Sequence, residues 1–392
     1  MISAGRLIGL GCFVLTGAVS PLACAHISEK DGLPDPLTDE ISTRLPDQPD
    51  AFSNLDAGND AFVPTNPCSA SNLCTVPLPL DHKLHLTSVW GSGTHDVYAV
   101  GSDGSILHYD GAVWELAQNG PNTYGPFMTQ SVWLRRADDV WIGDGNRIRH
   151  GTGWKGPTET EWTYYRYTDN GTVSAIRGDE NTVWVGRNTM AVGGMALDKF
   201  DAWGDAGPTK RVTYGPGRSI ITAVTSSPKE VWFIGLCSAP PQPAQDCAFR
   251  ASRPLTDGGP SPNWTIEEHD SRSNRLLFGV WADEHAAWIV GEGGTLRRMA
   301  ASAIATKKFE RIDGPVREDL YGVYGFAEDD VWAVGAASTV IHWDGTSWTK
   351  ISTPFDDATE KPSLRAIWGS APTDVWIAGD NGTMLHLQER PE

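Results

Sequence analysis

Short apolar and β-branched runs, each closed by glycine or an Asp-Gly pair, recur along the chain from residue 86 to residue 387. "LTSVWG", "DVYAVG" and "SILHYD" follow one another within residues 86–110, and a tryptophan-led run, "WELAQ", comes next. Runs of this composition between turn residues predict strands. Asp110-Gly111 between the third and fourth run predicts a tight hairpin in which both turn residues take positive φ. The strands are apolar on both sides, so a sheet of four must be covered on both faces.

The same phrase returns. "LTSVWGSGTHDVYAVGSDGSILHYDGAVW" at residues 86–114 reappears as "LYGVYGFAEDDVWAVGAASTVIHWDGTSW" at 320–348 and as "LRAIWGSAPTDVWIAGDNGTMLHL" at 364–387. Weaker copies are "QSVWLRRADDVWIGDGNRIRH", "VSAIRGDENTVWVGRN", "ITAVTSSPKEVWFIG" and "LFGVWADEHAAWIVGEGGTLRR". The second-strand aromatic falls at Tyr98, Trp141, Trp184, Trp232, Trp288, Trp332 and Trp376, mostly 43 or 44 residues apart. Seven copies of a four-stranded unit, stacked radially so that each covers the next, predict an all-β, seven-bladed β-propeller. The last copy stops after its third strand. "LCTVPLP" at 73–79 matches the segment after the hairpin tryptophan elsewhere, such as "WTKISTP" at 348–354. The N-terminal strand is therefore expected to complete the last blade, which leaves no open sheet edge.

Fifteen of the seventeen tryptophans fall at three repeat positions: at the end of the first strand, in the second strand, and after the hairpin turn. Indole is broad and flat and suits the wedge between sheets that diverge outward. His108, His150, His342 and His386 share one third-strand position and read as structural. The Asp of each "DVW" is expected to bond its own turn. "HKLH" at 82–85 has metal-like spacing but no third ligand beside it, so no metal and no cofactor is expected.

These repeats resemble the tryptophan-rich propeller repeats of secreted bacterial proteins. They are also similar to Asp-box (BNR) repeats and to photosystem-assembly-factor-like propellers, over residues 73–387. A full Asp-box has a spacer before its glycine, whereas Asp344 and Gly345 are adjacent here. The resemblance implies a propeller and leaves function open, since propellers serve as enzymes, lectins and scaffolds.

Composition narrows the partners. A net charge of −18 disfavours nucleic acid and anionic membrane surfaces. Residues 1–25 read as an export signal, with an apolar run at 7–19 too short to span a bilayer. "SPLAC" resembles a lipobox and would place a lipid on Cys24, whereas "ACA" offers ordinary cleavage. The expected location is a bacterial outer membrane, or else the periplasm or exterior, with membrane contact only through the lipid. Residues 26–67, acidic and proline-punctuated, read as a disordered tether, and residues 68–392 as the propeller. In an oxidising compartment, local disulfides Cys68–Cys74 and Cys237–Cys247 are expected.

Binding residues are sought where the repeat lapses. "NGPNTYGPFMTQ" and "TETEWTYYRYTDNGT" read as inter-blade loops rich in aromatics, and "GLCSAPPQPAQDCAF" as an enlarged loop between second and third strands. Tyr124, Phe127, Trp162, Tyr164, Tyr165 and Arg166 are the candidate ligand-binding residues, although residues 162–167 read equally well as a fourth strand. The expected function is a monomeric, non-catalytic module for a protein or glycan ligand. The alternative is a carbohydrate-active hydrolase or lyase with its acid residues in loops. No catalytic residue is assigned.

Overall fold

A computed structural model describes residues 66–117, 129–168, 171–188, 195–205, 207–209, 212–214, 221–226, 230–237, 245–253, 255–256, 259–260 and 263–387. These residues form seven four-stranded antiparallel sheets. The first blade is Leu86–Gly93, Asp96–Gly101, Ile106–Tyr109 and Trp114–Leu116, and the pattern repeats as the sequence predicts. The innermost strands touch in a closed ring, each against the next and the seventh against the first. Leu73–Thr75 supplies the outer strand of blade seven, pairing Leu73 with Leu387 and Thr75 with Leu385. The N-terminal closure is thus present, and Cys68 and Cys74 beside it are disulfide-bonded. Cys247 is also disulfide-bonded. The side chain of its expected partner, Cys237, lies outside the described residues.

The tryptophans explain how blades adhere. All seven second-strand aromatics are buried. On most of them packs an aromatic from the hairpin of the following blade: Trp348 lies 5.3 Å from Trp288, Trp264 4.7 Å from Trp184, and Trp114 5.3 Å from Trp376 across the closure. Tryptophans near the end of the innermost strands lie on a glycine of the next blade. A Cβ built on Gly325 would meet the Trp281 ring at 2.7 Å, and one on Gly178 would meet Trp133 at 2.7 Å. Only glycine lets indole lie this close to the neighbouring strand.

Two expectations change in detail. At the Asp-Gly turns only the glycine has positive φ, 98° at Gly111 and 89° at Gly345. The aspartate instead accepts from the two following amides, as Asp110 does from Ala112 (2.8 Å) and Val113 (2.9 Å). This side-chain turn replaces the doubly left-handed one. The "DVW" aspartates reach beyond their own turn to the third-strand histidines: His108 to Asp96 (2.8 Å), His150 to Asp139 (2.8 Å), His342 to Asp330 (2.7 Å) and His386 to Asp374 (2.6 Å). Blade four keeps the pairing with other residues, Arg250 on Glu230. The histidines are structural because each buried or half-buried acid needs a donor facing it.

Candidate functional site at the channel mouth

Each innermost strand carries one residue too many for its pairing. In blade one the partners of Leu86 and Ser88 are Gly101 and Val100, which are consecutive, so Thr87 is skipped. The same register shift skips Gln130, Ser174, Thr222, Phe278, Tyr321 and Arg365 in blades two to seven. A bulge turns its extra residue out of the ladder. Six of these residues line one cavity of about 540 Å³ at the axis, together with His85, Asn188 and Asp380. The side chain of Thr222 lies outside the described residues.

Topology places this mouth. Inter-blade connections and the turns between second and third strands share one face, and His85 and Asp380 belong to such segments. The wall is two-sided. Blades five to seven contribute Phe278, its ring 5.4 Å from Tyr321, and Arg365, whose guanidinium lies 4.5 Å from the centre of that tyrosine ring. Asp380 holds Arg365 through two hydrogen bonds of 2.9 and 2.7 Å and also faces His85 at 3.3 Å. These hydrogen bonds raise the guanidinium pKa against the opposing effect of burial, so Arg365 stays charged. Blades one to three contribute the small polar Thr87, Gln130 and Ser174. Asn188 stands among them, its Oδ1 buried and without a hydrogen-bond partner among the described residues.

Deeper in the channel, Ser88, Ser131, Ala175, Ala223, Gly279, Gly322 and Ala366 follow the bulges. They are small because adjacent strands converge there, and a Cβ on Gly322 would lie 3.2 Å from Arg365 O. The floor is aromatic. Blade two has Leu134 where blades one, three, six and seven have the receiving glycine, and Trp90 turns inward. Its ring lies 4.4 Å from the Arg177 guanidinium and 5.9 Å from Tyr324. Burial lowers the Arg177 pKa to about 10 and raises that of Tyr324 to about 12.

The residues singled out by sequence lie elsewhere. Trp162–Arg166 is the outer strand of blade two, paired to Arg147–Gly151, so it is a blade strand and not an inter-blade loop. Trp162 and Tyr165 are half-buried, and Tyr165 packs on Tyr167 at 5.1 Å. Tyr164 is 52% exposed, with the Arg147 and Arg149 guanidinium groups over its ring. Tyr124 and Phe127 lie outside the described residues, as do residues 238–244 of the blade-four loop, whose ends are strands Glu230–Cys237 and Gln245–Ser252. Sequence reasoning missed the mouth. Its signal was a column in the aligned repeats that changes from polar to aromatic to cationic between an apolar neighbour and a small one.

The architecture defines the class: a seven-bladed β-propeller with an open, amphipathic channel mouth. No family model matches the chain, and no curated protein matches it. Among solved structures it is similar to YCF48 bound to a D1 peptide, with 14% identity, 83% of this chain and 99% of that chain covered, and a TM-score of 0.61. It is also similar to YCF48 from Cyanidioschyzon merolae (16% identity, 81% and 98% covered, TM-score 0.56). The WD40 propeller domain of Doa1 matches at 11% identity, with 81% and 96% covered and a TM-score of 0.56. At these identities the likeness is one of fold.

Proposed function

We propose that the protein is a non-catalytic binding propeller that takes a peptide segment of a protein partner at the channel mouth. One observation carries this reading. The innermost strands repeat in register and bulge, yet their bulged position holds Thr, Gln, Ser, Thr, Phe, Tyr and Arg in turn. Packing explains sameness; a position that varies this widely beside one cavity suits recognition. Phe278 and Tyr321 offer an apolar wall, Arg365 a fixed cation, and Asn188 an acceptor lacking a donor. A peptide has all three complements: side-chain apolar area, carboxylates and backbone N–H groups. The D1 peptide bound by YCF48 is a further support, since that chain shares this fold.

The partner class also includes a glycan in this reading, because an aromatic beside an arginine suits a sugar face. The exposed Tyr164 under Arg147 and Arg149, with Trp162, Tyr165 and Arg166 on the same strand, is a second surface for it. We place the protein in the tryptophan-rich class of exported bacterial propellers, acting as a monomer. The lipid on Cys24 and the tether at residues 26–67 would hold the mouth away from an outer membrane. The test is a peptide-display selection and a glycan array probed with the full chain, together with a screen for oligosaccharide cleavage. Enriched peptides whose binding is lost in Tyr321→Ala/Arg365→Ala support the reading. Cleavage abolished by a carboxylate substitution would establish the hydrolase alternative instead.

A further inference from the structure

The charge of the chain is unevenly spread. Residues 271–317 hold eight of its 31 lysines and arginines against five carboxylates, in a chain of net charge −18. Four of those arginines, Arg275, Arg297, Arg311 and Arg317, line a single cleft of about 270 Å³ on the outer side of blade five. Its base is the turn Gly293–Gly294, between second and third strands, and its sides are the connections entering blades five and six. The cleft therefore opens on the same face as the channel mouth, through different residues.

Three of the four arginines pair with no acid among the described residues. Arg297 is buried, and its Nε, Nη1 and Nη2 donate to the carbonyls of Ser271 (3.1 Å), Leu296 (2.9 Å) and Arg272 (3.0 Å). Three carbonyls fix the guanidinium plane without cancelling its charge. Its pKa is lowered, first by burial and then by the neighbouring Arg311 and Arg272, so positive groups crowd it. Arg317 donates to the carbonyl of Val316 at 3.3 Å. Among the described residues, no carboxylate lies within ion-pair distance of Arg275, Arg297 or Arg317. Arg311 has one, exposed Asp313 at 3.5 Å, which also lines the cleft, and nearby Asp319 accepts from the Gly293 N–H at 2.8 Å. Four guanidinium groups gathered in one cleft, with Asp313 the single carboxylate paired to any of them among the described residues, repel one another, and Arg297 is held in place by the protein. An anion resolves that cost.

We propose that this cleft binds a tetrahedral oxyanion, the dianionic phosphate or the monoanionic sulfate of an ester carried on a small molecule. Guanidinium forks match such groups in shape and charge, and exposed Arg275, Arg311 and Arg317 can converge on a group seated against fixed Arg297. The volume exceeds what one such group fills, so it leaves room for the small molecule that bears it.

The test is isothermal titration calorimetry of the full chain with inorganic phosphate, sulfate and pyrophosphate at constant ionic strength, with chloride as the control anion. Saturable binding of at least one of the three oxyanion probes is expected. It should be weakened about tenfold or more in Arg275→Gln/Arg317→Gln and unchanged in Arg365→Ala, which belongs to the mouth. Both exposed arginines can be replaced without touching the buried Arg297, so an unchanged thermal midpoint accompanies the expected loss. The ranking of phosphate against sulfate tells which ester the cleft takes. No saturable binding by any of the three oxyanions, or equal affinity in the double variant, overturns the proposal.

Discussion

Tyr98 stands where six other blades have tryptophan, and its hydroxyl is fully buried with no hydrogen-bond partner among the described residues. Burial drives its pKa upward, so it remains a neutral phenol. An unmet buried hydroxyl costs stability, and Tyr98→Phe removes it without leaving a void. The substitution is expected to stabilise the protein by about 1 kcal/mol in urea unfolding. A destabilised variant would mean the hydroxyl is satisfied after all. His269 carries a second cost. It is buried against Trp232, neither ring nitrogen has a partner among the described residues, and burial lowers its pKa to about 4. The unfolded chain therefore takes up the proton first. Stability is whole above the ordinary histidine value of 6.5 and falls as pH drops from there to about 4, by at most roughly 3 kcal/mol. His269→Phe should flatten stability across that window, as read by denaturation midpoints at successive pH values. A slope as steep as wild type would place the loss elsewhere. At lower pH a different set takes over. Burial is the largest single effect on Asp139 and Asp374 and works against their charge. It is outweighed by the sum of the lowering contacts, from His150, Arg135 and Trp141 on Asp139 and from His386, Ser370 and Trp376 on Asp374, so both carboxyls stay below their ordinary values. Their contribution is present above the ordinary carboxylate pKa and lost as pH falls through the depressed one.

Among the strands, the tryptophan-on-glycine contact is the joint that repeats. Gly325→Ala places a methyl inside the Trp281 ring contact, and the indole must move. The expected cost is about 1–3 kcal/mol, read as a lowered thermal midpoint. Gly93→Ala is the matched control: nothing lies within 4 Å of its Cβ, and it should be near neutral. Equal effects from the two would show that backbone freedom matters here and indole packing does not. The same contacts show why strands could be read from sequence. "VWG" and "DVW" recur because each tryptophan and its receiving glycine serve the same joint in blade after blade. Outer strands carry no such demand. One face of Trp162–Arg166 is open, so its residues vary and masquerade as a specialised loop. The small ribbons Trp203–Gly204 with Gly207–Pro208, and Leu255–Thr256 with Gly259–Pro260, extend hairpins of blades three and four and left no periodic trace.

For the whole molecule, ring closure is what makes a site. The bulged residues that line the mouth are scattered between positions 87 and 365 and range from serine to arginine, so no local motif announces them. They meet only because seven strands converge on one axis, with Leu73–Thr75 sealing the last sheet. Periodicity reveals such an axis, whereas a ring of varied residues shows itself only when the copies are aligned on their pairing. The central claim is that this mouth, and not the outer strand of blade two, holds the peptide segment of a protein partner. The most direct measurement is the affinity of a display-selected peptide for wild type, Tyr321→Ala/Arg365→Ala and Tyr164→Ala, by calorimetry. Loss of a buried aromatic anchor and a fixed cation should weaken binding about a hundredfold in the mouth variant, with Tyr164→Ala within about twofold of wild type. Unchanged affinity in the mouth variant, with binding lost in Tyr164→Ala, would contradict the account.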